Sequence, residues 1–217
     1  MSELLIKILS SYLVGAVVGG LLVGRLRGGV DIRSLGSGNA GGTNALRTQG
    51  RVFAFWVLLI DIGKGWLTTH VIGSMWLSFV EPASPALRPW LPAACGIAGM
   101  AGHVYPIWFG FRGGKGVATL VGAVLGLDAW LLIPMLLVWY VAVVLVGFVG
   151  LASMAAAAAL PVAVVLTRVQ PYAPLLVFGI IATIAILYTH RGNVARMRSG
   201  TEPRARRLWL MGRRAHE

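Results

Sequence analysis

Three basic, glycine-bearing segments lie between the long apolar stretches of this chain, and each carries side chains that suit a phosphate group. They cover residues 36–47, 102–119 and 190–202. Each offers backbone amides at glycines, a cation, and hydroxyl or amide donors. Successive amides in a glycine-rich loop form a concave anion site, and arginine adds a planar fork of donors. Because the segments adjoin apolar helices, they predict a site for a phosphorylated lipid precursor at a membrane surface.

The first segment combines glycines at 36, 38, 41 and 42 with polar side chains that a merely flexible loop does not require. Glycine permits positive φ and lets the backbone approach a ligand closely. We therefore favour an anion site over a flexible linker. Its candidate residues are Ser37, Gly38, Asn39, Thr43, Asn44 and Arg47.

The second segment contains a lysine among glycines, directly before an apolar helix. It departs from a nucleotide-binding P-loop, because Gly116 follows Lys115 where that loop needs serine or threonine, and Phe109 stands where it needs glycine. A helix N-terminus already carries partial positive charge, so a lysine there is unfavourable unless an anion compensates it. We therefore predict that Gly113, Gly114, Lys115 and Gly116 bind phosphate.

The third segment follows the last apolar stretch. His190 and Asn193 are three residues apart and share one helical face. They are candidate catalytic residues, although a histidine at this position also suits the C-terminus of a helix. For Glu202 we favour a structural ion pair with Arg47 or Arg196 over a catalytic role.

Asp61 and Lys64 are charged residues inside an apolar stretch. Their spacing places them on one helical face, where they can pair. Ionisable groups within a membrane are costly and indicate function. Lys64 is therefore a further candidate ligand for phosphate, provided that the helix is tilted or water reaches it.

Composition defines an integral membrane protein. Hydrophobic residues make up 57% of the 217 residues and charged residues only 12%, about half the share of a soluble domain. The net charge of +12 is explained by cationic cytoplasmic loops, so we predict no nucleic-acid partner. The single cysteine, Cys95, can form no internal disulfide.

The hydropathy pattern predicts an all-α fold of seven transmembrane helices in one domain, residues 1–217, with a retained first helix rather than a cleaved signal peptide. We expect the helices over residues 4–24, 52–72, 90–108, 116–127, 129–148, 151–167 and 175–189. Tight turns are expected at Asp128 and between Gly147 and Gly150, and a polar break at residues 168–174.

The predicted orientation in the membrane follows from the number of spans between the polar segments, which must be even if the segments share one side, and from the distribution of charge. If the three polar segments form one site, they share one compartment, which the turn at Asp128 allows. Residues 25–51, 112–115 and 191–214 hold 15 of the 19 Lys and Arg, and such loops stay cytoplasmic. We therefore predict an outside N-terminus, a cytoplasmic C-terminus, and cytoplasmic motif segments at about 25–51, 109–119 and 190–217.

Several chemistries are excluded by spacing. No cysteine and histidine cluster has metal-ligand spacing, so we predict no metal and no cofactor. A histidine with an aspartate five residues later, a known acyltransferase dyad, is absent, because Met75, Trp108 and Ala195 follow the three interior histidines at that distance. No Gly-x-Ser-x-Gly elbow is present.

These segments, in order, resemble the three signature motifs of the PlsY family, the bacterial acyl-phosphate:glycerol-3-phosphate acyltransferases. The first motif begins at Asp31-Ile32-Arg33, and the long second motif, from Gly102-His103 to Phe111-Arg112-Gly113-Gly114-Lys115-Gly116-Val117-Ala118-Thr119, is highly specific. The third motif carries His190, Asn193, Arg196, Gly200 and Glu202. Small departures, such as Ala40, Gly42 and Met197, remove no polar group.

The resemblance implies transfer of a fatty acyl group from acyl phosphate to the 1-hydroxyl of glycerol 3-phosphate, which begins phospholipid synthesis. It implies catalytic roles for Ser37, Arg47, Lys115, His190 and Asn193, and adds His103 and Thr119 to the phosphate-binding residues. A substrate phosphate is the candidate acceptor of the hydroxyl proton, since no residue is an obvious general base.

The resemblance also places the protein in the bacterial inner membrane as a multi-pass protein whose active site faces the cytoplasm. Acyl phosphate, glycerol 3-phosphate and membrane lipid are the expected partners, together with the enzyme that produces acyl phosphate. The alternative is a transporter of a phosphorylated metabolite, because basic glycine-rich loops with broken helices also suit transport. That alternative requires polar residues near the midplane in both halves, and the second half has almost none.

Overall fold

The structure, a computed structural model, describes residues 1–205 and 208–210, and its regular secondary structure within those residues is entirely helical. The α-helices are α1 (Ser2–Gly15), α2 (Gly19–Leu26), α3 (Gly42–Gln49), α4 (Arg51–Trp66), α5 (Leu91–Val104), α6 (Val117–Leu127), α7 (Leu132–Val146), α8 (Val149–Thr167), α9 (Tyr172–Thr189) and α10 (Arg191–Arg198). A π-helical stretch, Leu67–Ile72, continues α4. The all-α prediction is confirmed.

The chain divides into two compact units, Met1–Ala129 and Trp130–Glu217. In the first unit α1 packs on α5 and α4 packs on α6. Small residues make these approaches close: a Cβ on Gly15 would collide with the backbone of Gly99, and one on Gly122 would collide with that of Ile62. Such contacts are typical of helices that associate within lipid, where small residues bring backbones together.

In the second unit α8 lies between α7 and α9. Ala152, Ala157 and Ala182 are among its fully buried residues, and a Cβ on Gly179 of α9 would press on Pro161 of α8. Pro174 lies in the first turn of α9, a position that tolerates proline because its backbone nitrogen needs no intrahelical partner there. The helix consequently starts at Tyr172, earlier than predicted, and the polar break is only Arg168–Pro171 long.

Four helices of the described residues are long and apolar enough to cross a membrane, and the count is five if a bent pair forms one span. The four are Arg51–Ile72, Ala129–Val146, Val149–Thr167 and Tyr172–Thr189. Each apolar stretch from which we predicted a span contains at least one helix. That all seven cross the membrane stays a prediction.

The first predicted span is not a continuous helix, which corrects the prediction for residues 4–24. α1 ends at Gly15, α2 begins at Gly19, and their axes are bent by 48°. The break exposes backbone groups that an intact helix would pair. Side chains of α4 compensate them, as described below.

Other boundaries follow local chemistry. α5, which corresponds to the span predicted over residues 90–108, ends at Val104. The next residue, Tyr105, precedes Pro106 and is therefore pushed out of helical geometry. α6 begins at Val117, directly after Gly116, and ends at Leu127, before the turn predicted at Asp128. Gly147, with φ 81°, makes the next turn alone; Gly150 lies inside α8, where a Cβ would meet the Asn193 side chain.

Candidate active site

The loop before α3 is organised by one buried amide side chain. Asn44 donates from Nδ2 to the carbonyl oxygens of Ile32, Leu35 and Asn39 at 2.9, 3.0 and 2.9 Å. Its Oδ1 accepts from the backbone N–H of Ser37 at 2.9 Å and from the Ser37 hydroxyl at 3.2 Å. The Asn44 amide is therefore engaged in shaping the loop around Ser37.

Ser37 is held in a turn between two glycines of left-handed conformation. Gly36 has φ 57° and Gly38 has φ 72°, a region that residues with a Cβ rarely adopt. A Cβ at Gly36 would also collide with the Asn44 side chain. Ser37 thus sits half-buried at a fixed position beside the start of α3.

The remaining candidates of the first motif lie at or just before α3. Thr43 and Arg47 are exposed and four residues apart, so they share one face of this helix. Asn39 is half-buried in the preceding turn. Ala40 and Ala45 are fully buried and anchor the loop, so the polar face is presented by a fixed backbone.

The second glycine loop folds back on the end of α5. Gly113 donates its N–H to Val104 O and Gly114 donates to His103 O, each at 3.1 Å. A Cβ at either glycine would collide with His103 or its carbonyl. These residues are glycine because the loop backbone lies directly against the helix end.

Lys115 lies between this packed backbone and the start of α6. Gly116 is the N-cap of α6, with φ 87°, and Lys115 is half-buried beside it. Thr119, in the first turn of α6, is fully buried, and its carbonyl lies where α6 meets Gly65 of α4. Lys115 is thus placed at the helix start, whereas Thr119 belongs to the packed interface of two helices.

Arg33 joins the two glycine-rich loops. Its Nη1 donates to the carbonyl oxygens of Phe109 and Arg112, at 3.1 and 2.7 Å. Its Nε and Nη2 donate to the Asp31 carboxylate, with a shortest distance of 2.7 Å. The hydrogen bonds from Arg33 lower the pKa of the Asp31 carboxyl below its ordinary value, and the same pair raises the pKa of Arg33.

Asp61, Lys64 and His103 form a buried cluster in the first unit. They are 0%, 5% and 2% exposed. Lys64 Nζ lies 2.8 Å from Asp61 Oδ1, 2.8 Å from His103 Nδ1 and 2.9 Å from Val17 O. The predicted Asp61–Lys64 ion pair is confirmed, and the ammonium group bonds buried partners.

The third motif lies in the second unit. His190 is 3% exposed at the junction of α9 and α10, and its Nδ1 lies 2.8 Å from Ile186 O. A carbonyl only accepts, so Nδ1 carries a proton in this contact. Asn193 donates from Nδ2 to Glu202 Oε1 at 2.6 Å, and Arg196 Nε donates to Glu202 Oε2 at 2.7 Å.

Glu202 therefore orients Asn193 while it pairs with Arg196. Of the two ion-pair partners expected from the sequence, Arg196 is the one found. The basic tail beyond Leu210, part of the predicted segment 190–217, lies outside the described residues.

The sequence did not predict two contacts, that of Asp61 with the backbone of Gly19 and that of Asp31 with Arg33. The sequence predicts Asp61 only as the partner of Lys64. Arg33 stood in the first motif, but no local spacing could reveal contacts with Phe109 and Arg112, more than 70 residues away. The usable signal was a paired Asp and Arg two residues apart, immediately before a glycine loop.

Long apolar helices connected by cationic, glycine-rich loops are the architecture of a multi-pass integral membrane protein. The sequence model of the family Glycerol-3-phosphate acyltransferase matches residues 5–200. The glycerol-3-phosphate acyltransferase of Gloeobacter violaceus is 39% identical over 195 residues, which are 90% of this chain and 91% of that protein. That of Staphylococcus aureus strain Newman is 36% identical over 209 residues, which cover 95% and 99% of the two chains.

A solved structure is also similar to this chain. The glycerol 3-phosphate form of PlsY, an integral membrane glycerol 3-phosphate acyltransferase, has a TM-score of 0.80 and 33% identity, covering 94% of this chain and 96% of that one. The chain belongs to the glycerol-3-phosphate acyltransferase family, and it is an acyltransferase.

Proposed function

We propose that this protein transfers a fatty acyl group from acyl phosphate to the 1-hydroxyl of glycerol 3-phosphate, giving lysophosphatidic acid and inorganic phosphate. The hydroxyl oxygen bonds to the acyl carbonyl carbon, the bond from that carbon to the phosphate oxygen breaks, and the hydroxyl proton passes to phosphate. Beyond family membership, the observation that carries the proposal is a pair of glycine loops that Arg33 joins. Each loop leads into a helix and has a cation nearby, Arg47 in the last turn of α3 and Lys115 directly before the N-cap of α6.

This chemistry requires positioning more than a reactive side chain. An acyl phosphate is already an activated anhydride, so no covalent enzyme nucleophile is needed. Holding two reactants in the right geometry contributes about 7–11 kcal/mol to lowering a barrier. A loop fixed by Asn44 and clamped by Arg33 supplies such preorganisation.

In the first motif, Ser37 and Arg47 bind a substrate phosphate and the reacting carbonyl. Gly38, Asn39 and Thr43 contribute backbone or side-chain donors around it. Asn44 holds Ser37 in place, because its own amide is bonded within the loop.

In the second motif, Lys115 and the amides of residues 113–116 bind phosphate at the start of α6, where the helix adds partial positive charge. His103 supports this loop from beneath. Lys64 and Thr119, both buried, shape the surroundings instead of lying at the reacting atoms.

In the third motif, His190 and Asn193 orient glycerol 3-phosphate or stabilise the oxyanion that forms as the hydroxyl attacks. Glu202 is structural, since its carboxylate fixes Asn193 and pairs with Arg196. Neither a metal nor a cofactor is required, because both substrates bring phosphate as the charged group and the anhydride supplies the driving force.

We further infer seven spans, an outside N-terminus, and an active site on the cytoplasmic face of a bacterial inner membrane. The distribution of Lys and Arg supports this orientation. Single cysteines on a Cys95→Ser background test it with a membrane-impermeant thiol reagent on intact cells. A cysteine at Asp128 is expected to react and cysteines at Ser37, Lys115 and Asn193 to stay protected; the reverse pattern contradicts the topology.

Acyl phosphate is unstable in water and amphipathic, which favours direct supply by an acyl-phosphate-producing enzyme at the membrane. Phosphate release from detergent-purified protein given palmitoyl phosphate, with and without glycerol 3-phosphate, tests the function. Release that depends on glycerol 3-phosphate supports it. Absence of release in detergent, with uptake of a phosphorylated metabolite in sealed vesicles, supports transport instead.

A further inference from the structure

We propose that Asp61 is a positioning residue of the acyltransfer site, acting through Lys64 and His103 on the glycine loop at residues 113–116. The inference rests on the proposed phosphate-binding role of that loop. Asp61 touches no part of the loop itself. It acts through a chain of buried contacts that runs from Asp61 to Lys64, from Lys64 to His103, and from His103 to the loop.

The first contact is between Asp61 and the helix break. Asp61 Oδ1 accepts from the backbone N–H of Gly19, at the start of α2, at 3.0 Å. Lys64 donates to Val17 O, inside the break, at 2.9 Å. One charged pair on α4 therefore satisfies both a donor and an acceptor that the bend between α1 and α2 leaves without helical partners.

The second contact fixes the state of His103. The Lys64 ammonium has three hydrogens and three acceptors within hydrogen-bond distance: Asp61 Oδ1, Val17 O and His103 Nδ1. Lysine only donates, so His103 Nδ1 accepts and the ring proton stays on Nε2. The longer 3.3 Å approach of Asp61 Oδ1 to the same Nδ1 is then an electrostatic contact beside the Lys64 bond.

The third contact joins the His103 ring to the glycine loop. A Cβ at Gly114 would collide first with His103 Nε2, so this nitrogen lies directly against the loop backbone. The Gly114 N–H also donates to His103 O. The Asp61–Lys64 pair thereby sets a ring whose N–H edge lies at the loop that we assign to phosphate.

The chain contains a matched control. Glu3 and Lys7 form a second buried ion pair in the same unit, at 3.0 Å. The Lys7 ammonium likewise has three acceptors, Glu3 and the carbonyl oxygens of Gly73 and Met75. Glu3→Gln removes one buried carboxylate charge beside a fully bonded lysine, as Asp61→Asn does, but its contacts lead to the loop after α4.

The experiment compares steady-state kinetics of the purified wild type, Asp61→Asn and Glu3→Gln, with KM measured separately for palmitoyl phosphate and glycerol 3-phosphate. Asp61→Asn keeps an acceptor but removes the charge that pairs with Lys64, and it is expected to raise one of these KM values about tenfold, because a hydrogen bond to a charged group is stronger than one between neutral groups. Glu3→Gln is expected to keep both KM values while it lowers thermal stability. Unchanged KM values in folded Asp61→Asn, or equal changes in both variants, overturn the proposal.

A second measurement needs no variant of Asp61. In ¹⁵N-histidine spectra of the wild type, with the His103 signal identified by its loss in His103→Gln, the proposal expects a neutral ring protonated at Nε2. A proton on Nδ1, or a charged ring at neutral pH, overturns it. A wild type without phosphate release would refute the proposed function instead, and would leave this spectral result standing by itself.

Discussion

The Arg33 guanidinium donates to the carbonyl oxygen of Arg112 at 2.7 Å, across 79 residues of sequence. The same side chain holds Asp31 and reaches Phe109 O. One residue thus fixes the distance between two glycine-rich loops that are otherwise held by separate helices. Their relative position matters because a misplacement of about 1 Å at a reacting centre costs about a hundredfold in rate.

Arg33→Lys is expected to lower kcat/KM by about tenfold, because lysine cannot reproduce the planar fork that bonds Asp31 and two carbonyls at once. Arg33→Ala should lower it further. Arg51→Lys is the matched control, since Arg51 is an exposed arginine at the start of α4. Equal kinetics for Arg33→Lys and Arg51→Lys would show that the clamp does not position the loops.

The Asp31–Arg33 pair should give stability a characteristic dependence on pH. The Asp31 pKa is held below its ordinary value of 3.8 by hydrogen bonds from Arg33. Its contribution is therefore fully present above that ordinary value and is lost as pH falls through the lowered pKa of the folded state. Thermal melts of wild type and Asp31→Asn should differ at pH 7 and converge in strong acid. A constant difference down to the lowest pH would contradict the pairing.

Lys115→Ala is expected to reduce turnover by at least about a hundredfold, the usual cost of removing one charge-stabilising donor from an active site. The protein should still fold, because Lys115 is half-buried and the loop is held by the backbone bonds of Gly113 and Gly114. Arg112→Ala, a neighbouring exposed cation whose carbonyl remains available to Arg33, should retain most activity. Near-normal turnover of folded Lys115→Ala would show that this loop does not contain the phosphate site.

Substitutions of Glu202 and Asn193 should affect different quantities, the first thermal stability and the second turnover. Glu202→Ala removes hydrogen bonds to a charged group, at a cost of about 1–3 kcal/mol, which corresponds to about 2–4 °C in Tm for each kcal/mol. Asn193→Ala should have its main effect on turnover and only a small effect on Tm. The two effects are read from melting curves and initial rates of the same preparations. A Glu202→Ala protein with unchanged Tm would contradict the structural role.

Local chemistry made part of this structure predictable from sequence. The start of α6 follows from Gly116 and its end from Asp128, since each residue acts on its own turn. The Asp61–Lys64 pair follows from spacing along one helix. The ion pair of Glu202 with Arg196 also lies within six residues.

Features that depend on distant residues were not predictable in the same way. Residues 4–24 read as one apolar helix, because the groups that stabilise its break, Asp61 and Lys64, lie more than 40 residues away. Arg33 is equally remote from Phe109 and Arg112. The length of an apolar stretch does not reveal a bend when side chains of another helix bond the backbone groups at that bend.

Acyl transfer without a covalent enzyme intermediate is the central claim, and labelled substrate tests it directly. Purified protein in detergent and EDTA receives palmitoyl phosphate carrying ¹⁴C in the acyl chain. Without glycerol 3-phosphate, the protein should stay unlabelled and phosphate release should be negligible. With it, one labelled lysophosphatidic acid should form for each phosphate released. A labelled protein, a requirement for added metal, or phosphate release that ignores glycerol 3-phosphate would contradict the account.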